Sequence, residues 1–278
     1  MPELPEVERG RKQAEAVARG QKIVKVWLDD DPIVFDKTSR KTFTKALLNH
    51  TVLEVCRHGK QLWFELDTRP WPLFHFGMTG GFQTSRDDAF ALKTGPDVKD
   101  RSWPPKFTKI HLWFENGGEL VMTNARRFGR IRLRQDPRNE APIQSLGFDP
   151  YLELPPLKEF EGALSKRKVS IKGLLLNQKF AAGVGNWIAD EVLYQAGVAP
   201  ARRSCDLEPH EVKRIRTKLA AVIKKAVEVD AEKSKFPKNW LFHHRWGQDQ
   251  DAQTAKGETI AFDTVAGRTT AWVPTFQR

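Results

Sequence analysis

The sequence predicts an α+β protein of two domains, in which a β-sandwich preceded by one helix is followed by a helical domain that ends in a β-hairpin. The length of 278 residues allows two separate hydrophobic cores. Short alternating apolar runs fill residues 22–134, whereas apolar residues at helical spacing begin near residue 156. We therefore expect one domain at 1–135, a Pro-rich linker at 136–155 and a second domain at 156–278.

The N-terminal helix is predicted to run from Pro5 to about Ala18. Proline suits the first turn of a helix because the N–H that it lacks would have no partner there. Glu6 and Glu8 suit the positive end of the helix dipole, and Gly20 is placed to end the helix.

Residues 22–134 predict several short strands rather than strands that alternate with helices. Turn residues separate the runs, and this spacing is typical of an antiparallel sandwich or barrel. Residues 57–60 are predicted to form a hairpin tip, and residues 84–104 a long loop rich in Asp, Lys, Pro and Ser. Examples of these runs are KIVKVWL, TVLEVC, QLWFEL, WPLFHF, KIHLWF, GELVM and GRIRLR.

The second domain is predicted to contain four helices and a terminal hairpin. The last helix has apolar residues at helical spacing and a strongly basic opposite face. The tail is expected to form a β-hairpin from the runs ETIAF and GRTTAWV. The helices are expected at about 156–167, 169–179, 186–196 and 208–229.

The charge balance favours a polyanionic partner. The chain has 46 Lys and Arg against 35 Asp and Glu, a net charge of +11. Such a surplus attracts nucleic acid because each neutralised phosphate releases condensed counterions, although charge alone leaves an ordinary basic protein open. No apolar run reaches the roughly 18 residues of a membrane span, and the acidic N-terminus is unlike a secretory signal. Two distant cysteines predict no disulfide framework, so we expect an intracellular protein.

The first residues carry the most specific chemical signal. Removal of Met1 is favoured before the small residue Pro2 and would leave a secondary amine at the N-terminus. An α-amine titrates near pH 8, roughly, so a useful fraction is unprotonated at neutral pH. It can attack a sugar C1′ to form an iminium ion, as lysine nucleophiles do, with Glu3 and Glu6 within reach for proton transfer. The alternative is that Pro2 merely begins a disordered end.

The run MPELPEVE resembles the start of the formamidopyrimidine-DNA glycosylase family, whose members are also called 8-oxoguanine DNA glycosylases/AP lyases. The resemblance implies that Pro2 is the nucleophile, that Glu3 is the general acid, and that Glu6 is a supporting carboxylate. Leu4 matches this family, whereas the related endonuclease VIII branch more often has glycine there. The resemblance therefore favours oxidised purines over oxidised pyrimidines as substrates.

Two further motifs resemble the same family and lie in the first domain. HGKQLWF resembles the hairpin that presents a catalytic lysine, here Lys60; the alternative is a solvated turn lysine. HFGMTG and NARRFGR resemble the segments that fill the space left by a flipped base. The resemblance implies that Met78 and Phe128 wedge into the base stack while Arg126 pairs with the orphaned base. Ordinary core positions are the alternative for Met78 and Phe128, and Arg127 could equally be a phosphate contact.

The run SIKGLLLNQKFAAGVGNWIADEVLYQAGV resembles the helix–two-turn–helix motif of the family. Gly183 and Gly185 would allow close backbone approach to DNA at a helix N-terminus. The resemblance implies that Asn186 caps this helix and contacts a phosphate, that Lys172 is a second DNA contact, and that Glu191 supports the catalytic end. A Gly-rich helix connector is the alternative.

The tail departs from most of the family in two respects. Val273 and Phe276 stand where a zinc finger would have its last cysteine pair, so we expect no metal and a zincless-finger hairpin, as in plant and fungal members. Arg268 still matches the finger arginine that grips phosphates. Residues 231–247 lack the glycine-rich stretch that covers 8-oxoguanine in bacterial members, which favours ring-opened formamidopyrimidines.

The resemblance as a whole implies a bifunctional DNA glycosylase/AP lyase of base excision repair. Pro2 would attack C1′, the base would leave, and β- and δ-elimination would follow. We expect damaged double-stranded DNA as the partner, no cofactor, no membrane, a monomer, and the nucleus as the compartment, with a bacterial cytoplasm as the alternative. Two other functions stay open: an endonuclease VIII-like glycosylase for oxidised pyrimidines, and a non-catalytic damaged-DNA-binding protein.

Overall fold

The computed structural model of the protein describes residues 1–85, 102–249 and 251–278. The chain divides into two compact units, Met1–Ser145 and Leu146–Arg278. Most of the loop predicted at 84–104 lies outside the described residues. Within the described ranges, no helix is both long and apolar enough to cross a membrane.

The first unit contains the predicted N-terminal helix, α1, at Leu4–Ala18. Glu3 and Glu6 form a capping box at its start, and Gly20, with a φ of +74°, follows its end. A second helix, α2 at Arg40–Leu47, was not predicted, although the Ser39 side chain caps it by accepting a hydrogen bond from the Thr42 N–H. The strands are β1 Ile23–Leu28, β2 Val52–His58, β3 Gln61–Leu66, β4 Trp71–His75, β5 Gly81–Thr84, β6 Thr108–Phe114, β7 Glu119–Thr123 and β8 Arg130–Arg134.

The strands form two four-stranded antiparallel sheets, which confirms the predicted sandwich. One sheet has the order β1-β6-β7-β5 and the other β2-β3-β4-β8. Both sheets and α1 contribute to one buried core. The rings of Phe64, Phe74 and Phe82 pack in its centre, where the centroids of Phe64 and Phe74 are 4.9 Å apart and those of Phe74 and Phe82 are 5.1 Å apart. The start of α1 is therefore held by the sandwich.

The second unit contains the four predicted helices and the terminal hairpin. The helices are α3 Leu157–Ser165, α4 Ile171–Leu176, α5 Asn186–Ala196 and α6 Pro209–Glu228. The hairpin pairs β9 Ala261–Val265 with β10 Arg268–Trp272. The helix α4 is shorter than predicted because the backbone turns after Asn177, whose carbonyl accepts from the Phe180 N–H.

The end of the chain is held to the second unit by apolar packing and one glutamine. Val273 is buried in a cluster with Tyr194, and the ring of Phe276 lies 5.7 Å from that of Tyr194. The Gln277 amide accepts from the Val273 N–H at 2.7 Å and donates to the Val198 carbonyl at 2.9 Å. Apolar packing and hydrogen bonds therefore anchor the hairpin at Val273 and Phe276, where a zinc finger would have its last cysteine pair.

Candidate functional site

Pro2, Glu3 and Glu6 lie together at the start of α1, and all three are buried. The Glu3 N–H donates to Glu6 Oε2 at 3.0 Å, and the Glu3 carboxylate accepts from the backbone of Glu6. This capping box fixes both carboxyl groups beside the residue that would carry the N-terminal amine. The structure therefore brings together three residues that the sequence selected for one site.

The carboxyl group of Glu6 is poised for proton exchange near neutrality. Burial, and then the neighbouring charge of Glu3, raises the pKa of Glu6 to about 7, against opposing effects that include the positive amino terminus. A carboxyl group that is partly protonated at neutral pH can accept a proton from the amine and return it later. A raised pKa of a buried carboxyl group beside a candidate nucleophile is typical of a catalytic site.

Lys60 lies in a two-residue turn between β2 and β3, as predicted for the tip at 57–60. His58 pairs with Gln61 across the turn, and Gly59 adopts a φ of +57° that favours glycine. Burial, followed by the positive charge of Lys60, lowers the pKa of His75 to about 4. The strand register agrees, because Gln61, which follows Lys60, pairs with His75 of β4.

A buried arginine connects the Lys60 turn to α1. Arg57 Nε donates to Glu8 Oε2 at 2.7 Å, and Arg57 Nη1 donates to the Gly59 carbonyl at 3.1 Å. The Arg57 side chain is 0% exposed and that of Glu8 is 6% exposed. The helix α1 thus holds the turn that carries Lys60. Sequence reasoning missed this pair because the two residues are 49 positions apart.

The two segments predicted to act as wedges contact each other in the first unit. The Asn124 amide joins them, since its Nδ2 donates to the Phe76 carbonyl at 2.8 Å and its Oδ1 accepts from the Gly129 N–H at 3.1 Å. At Gly77, with a φ of +65°, an added Cβ would lie 2.4 Å from the carbonyl carbon of Phe128. Asn124 and Gly77 therefore set the spacing between the Met78 segment and the Phe128 segment.

Phe128 is a surface residue rather than a core residue. Its side chain is 54% exposed, and the Arg126 guanidinium lies 5.2 Å from the centre of its ring. Met78 is half-buried. An exposed aromatic ring paired with an arginine is suited to stacking on a nucleic-acid base.

Arg127 anchors the Phe128 segment through a carboxylate that sequence reasoning missed. Its Nε and Nη2 atoms donate to Asp31 Oδ2 and Oδ1 at 2.8 and 2.9 Å. Lys109 also lies 3.0 Å from Asp31, and these hydrogen bonds hold the pKa of Asp31 well below its usual range. Arg127 has a φ of +57°, and its half-exposed guanidinium is engaged by both oxygens of the buried Asp31 carboxylate.

In the second unit, Asn186 is the first residue of α5 rather than its cap. The capping position is Gly185, which corrects the cap expected from the sequence. The Asn186 Nδ2 atom donates instead to the Thr269 carbonyl at 2.8 Å. Arg268, the first residue of β10, is exposed next to this contact.

Lys172 lies in the interior, which differs from the surface contact expected from the sequence. Its side chain is 0% exposed, and its Nζ atom lies 2.7 Å from Asp190 Oδ1. The same ammonium donates to the Thr269 carbonyl at 3.1 Å and to Thr270 Oγ1 at 2.7 Å. A buried ammonium persists only with such partners, so Asp190 explains why a lysine is tolerated there.

Glu191 is also buried, and it holds the segment after α6. Its carboxylate accepts from the Phe242 N–H at 2.8 Å and from Gln195 Nε2 at 2.7 Å. Burial raises the pKa of Glu191 to about 7. Within the described part of the chain, no cluster of three or more His, Cys, Asp or Glu residues is placed to hold a metal ion.

Comparison with known proteins agrees with this arrangement. Residues 1–131 match the formamidopyrimidine-DNA glycosylase N-terminal domain, and residues 146–238 match the H2TH domain of the same enzymes. The helix–two-turn–helix prediction is thereby confirmed. The two matches together span most of the chain.

Among similar proteins, a formamidopyrimidine-DNA glycosylase of Arabidopsis thaliana is 41% identical over 278 residues, covering 100% of this chain and 71% of its own length. A Lactococcus lactis formamidopyrimidine-DNA glycosylase, solved non-covalently bound to DNA containing an AP site, has a TM-score of 0.81 at 26% identity, with 99% of both chains covered. A mutant of that enzyme in complex with Fapy-dG-containing DNA also has a TM-score of 0.81 at 26% identity and covers 100% of both chains.

The two matched domains place the chain in the class of helix–two-turn–helix DNA glycosylases. The chain belongs to the formamidopyrimidine-DNA glycosylase family.

Proposed function

We propose that this protein excises oxidised purines, in particular formamidopyrimidines, from double-stranded DNA and then cleaves the strand as an AP lyase. The observation that carries the proposal is the capping box of Glu3 and Glu6 directly after Pro2, with the pKa of Glu6 raised to about 7. Relatives that share the fold have been solved with AP-site and Fapy-dG DNA.

The first step is attack by the Pro2 amine, after removal of Met1, on C1′ of the damaged nucleotide. The new N–C1′ bond replaces the glycosidic bond, and the base leaves with its bonding electron pair. Glu3 acts as the general acid that protonates the opening deoxyribose oxygen, and Glu6 takes the amine proton, for which its raised pKa suits it. The product is an iminium ion at C1′.

Strand cleavage follows from the iminium ion, because it is an electron sink. Loss of a C2′ proton expels the 3′ phosphate in β-elimination, and a second elimination expels the 5′ phosphate. Lys60, held by the turn that Arg57 anchors, supplies a positive charge for a phosphate of the damaged strand. No cofactor takes part in these steps.

The DNA contacts follow the two units. Met78 and Phe128 fill the space left by the extruded nucleotide, and Arg126 pairs with the orphaned base, which offsets part of the unstacking cost. In the second unit, Arg268 and Asn186 contact phosphates, while Glu191 supports the neighbouring segment. We propose that Lys172 supports these contacts from the interior.

We infer the lesion preference from the residues after α6, and the compartment from the similarity to a plant enzyme. The segment 231–247 has no glycine-rich stretch, so we propose that ring-opened purines are better substrates than 8-oxoguanine. The similarity to a plant enzyme and the repair function indicate a compartment that contains DNA, nuclear or organellar. We propose that the protein acts there as a monomer, with the nucleus as its site.

Borohydride trapping tests the chemistry. Reduction during turnover of a duplex with one Fapy lesion is expected to give a covalent protein–DNA adduct attached at Pro2. The adduct should be lost when Met1 is retained, and strongly reduced in Pro2→Gly. Glu3→Gln is expected to bind the duplex with turnover abolished. Full turnover by protein that retains Met1 would refute the proposed nucleophile, and faster turnover of an oxidised pyrimidine duplex would favour the endonuclease VIII-like alternative.

A further inference from the structure

The hairpin that carries Arg268 requires an anchor outside itself. It consists of two five-residue strands, β9 and β10, and an isolated two-stranded hairpin is only marginally stable in water. Arg268 is the first residue of β10, and it follows a turn in which Ala266 and Gly267 both have positive φ. The position of the Arg268 backbone therefore depends on what holds the strand that follows it.

Three buried charges hold that strand. Asp190, on α5, is 0% exposed, and its Oδ2 atom accepts from the Ala271 N–H at 3.1 Å and from Arg245 Nη2 at 2.6 Å. Its Oδ1 atom lies 2.7 Å from Lys172 Nζ. The three side chains come from α4, from α5 and from the segment after Phe242, so one carboxylate joins three parts of the second unit. We refer to Lys172, Asp190 and Arg245 as the buried triad.

The triad and Asn186 bind β10 through its backbone. Lys172 donates to the Thr269 carbonyl and Asn186 donates to the same oxygen. Thr270 Oγ1 accepts from Lys172 and donates to the Arg268 carbonyl at 3.1 Å. The triad and Asn186 therefore bond three consecutive residues, Thr269, Thr270 and Ala271, and the Thr270 hydroxyl extends the network to the Arg268 carbonyl.

We propose that the buried triad is a positioning device for the Arg268 guanidinium, and that Lys172 acts on DNA through Arg268 rather than by touching a phosphate. The location of Lys172 supports this, because a side chain with no exposed surface has no route to a phosphate without unfolding its surroundings. A buried ion group contributes little net stability, so stability alone does not explain why three charges are buried here. A role in holding one conformation of the strand explains them better. The inference rests on the proposed phosphate contact of Arg268.

The first test measures the strand without DNA. Amide hydrogen exchange of the whole protein is followed at Thr270 and Ala271, with Val121 in the first unit as the internal reference. Asp190→Asn keeps the side-chain volume and removes the charge, and it is expected to speed exchange at Ala271 at least about tenfold, the effect of losing one charged hydrogen bond. Unchanged exchange at Thr270 and Ala271 would overturn the inference, whatever Arg268 does.

The second test counts phosphate contacts from the salt dependence of binding to a duplex with an abasic-site analogue. Each contact contributes about 0.9 to the slope of log affinity against log salt concentration. Arg268→Ala and Lys172→Met are each expected to lower the slope by about one contact, and the double variant by no more than either alone. A double variant that loses about two contacts would show that Lys172 touches a phosphate itself, and the inference would be wrong.

Two controls separate this inference from the proposed function and from misfolding. If Arg268→Ala alone leaves the slope unchanged, the proposed phosphate contact fails, while the exchange measurement still decides whether the triad holds β10. Arg245→Lys keeps a cation beside Asp190 and is expected to retain most of the slope. Arg245→Met is expected to lower the slope by about one contact, and its melting curve is used to confirm that the native fold is kept. Equal slopes for these two Arg245 variants would count against the triad.

Discussion

Replacing Arg57 with methionine should uncouple the Lys60 turn from α1, the helix that follows Pro2 and Glu3. Arg57 joins Glu8 of α1 to the Gly59 carbonyl, and its side chain is fully buried. Removing one partner of a buried ion pair costs about 3–5 kcal/mol because the other charge is left unpaired. Glu8 keeps a second partner, since Arg11 Nε lies 2.8 Å from its Oε1 atom. We therefore expect a loss of about 3 kcal/mol in the free energy of unfolding, at the lower end of the range.

The assay for Arg57→Met combines stability with strand cleavage. A loss of about 3 kcal/mol corresponds to a fall in melting temperature of roughly 6–12 °C for a unit of this size. Cleavage is then measured at a temperature where the variant is folded, and we expect the β-elimination step to slow while lesion binding is retained, because only the turn that carries Lys60 is loosened.

Arg19→Met is the matched control for Arg57→Met. Arg19 Nη2 also joins α1 to β2, through Glu54 at 2.7 Å, but these two side chains are 54% and 46% exposed. Exposed ion pairs contribute about 0–1 kcal/mol, so this variant should melt close to the original protein and cleave DNA normally. If Arg57→Met behaved like Arg19→Met in both assays, the proposed anchoring of Lys60 would be incorrect.

Three further predictions concern other parts of the site. The pKa of Glu6 is raised from 4.5 to about 7, so its protonated form stabilises the fold at low pH, and that contribution of roughly 3 kcal/mol is lost as pH rises from about 4.5 to 7. Glu6→Gln should flatten this part of the plot of unfolding free energy against pH, and an unaltered plot would show that burial does not raise the pKa of Glu6. Gly77→Ala, which places a Cβ against the backbone of Phe128, should weaken lesion binding at least tenfold, whereas Gly81→Ala meets open space and should bind normally in a fluorescence titration. Gln277→Ala leaves the buried Val273 N–H and the buried Val198 carbonyl without their partner, and it should lower the free energy of unfolding measured in denaturant by about 1–3 kcal/mol. A chelator should change the stability of neither the original protein nor the variant. Restoration of stability by zinc would contradict this account of the hairpin.

The sequence was sufficient for the parts of the fold that local patterns encode. The N-terminal helix, the strand runs and the hairpin tip at 57–60 follow from periodicity and turn residues, and each is present. The helix α2 at Arg40–Leu47 was missed because only two of its eight residues, Phe43 and Leu47, are buried, so its apolar stripe is short. Its capping serine at position 39 was the available signal.

The supporting residues of the site could not be predicted in the same way, because their partners are distant in the sequence. Arg57 and Glu8 are 49 positions apart, and Arg127 and Asp31 are 96 apart. Neither distance leaves a spacing pattern that a single sequence can show. The cap expected at Asn186 was wrong for a related reason, since a tertiary contact with Thr269 engages its side chain.

The same limit applies to the interpretation of the net charge of +11. Arg126 and Arg127 are adjacent and identical in type, yet Arg126 lies over an exposed ring while Arg127 is paired twice with Asp31. Lys172 and Arg268 both match a family motif, yet one is buried against Asp190 and the other is exposed. In each pair, one cation is held by a carboxylate of its own unit, and the other is exposed. Under the proposed roles, a cation that a carboxylate already holds makes no direct phosphate contact, so the salt dependence of DNA binding should count Arg268 but neither Arg127 nor Lys172.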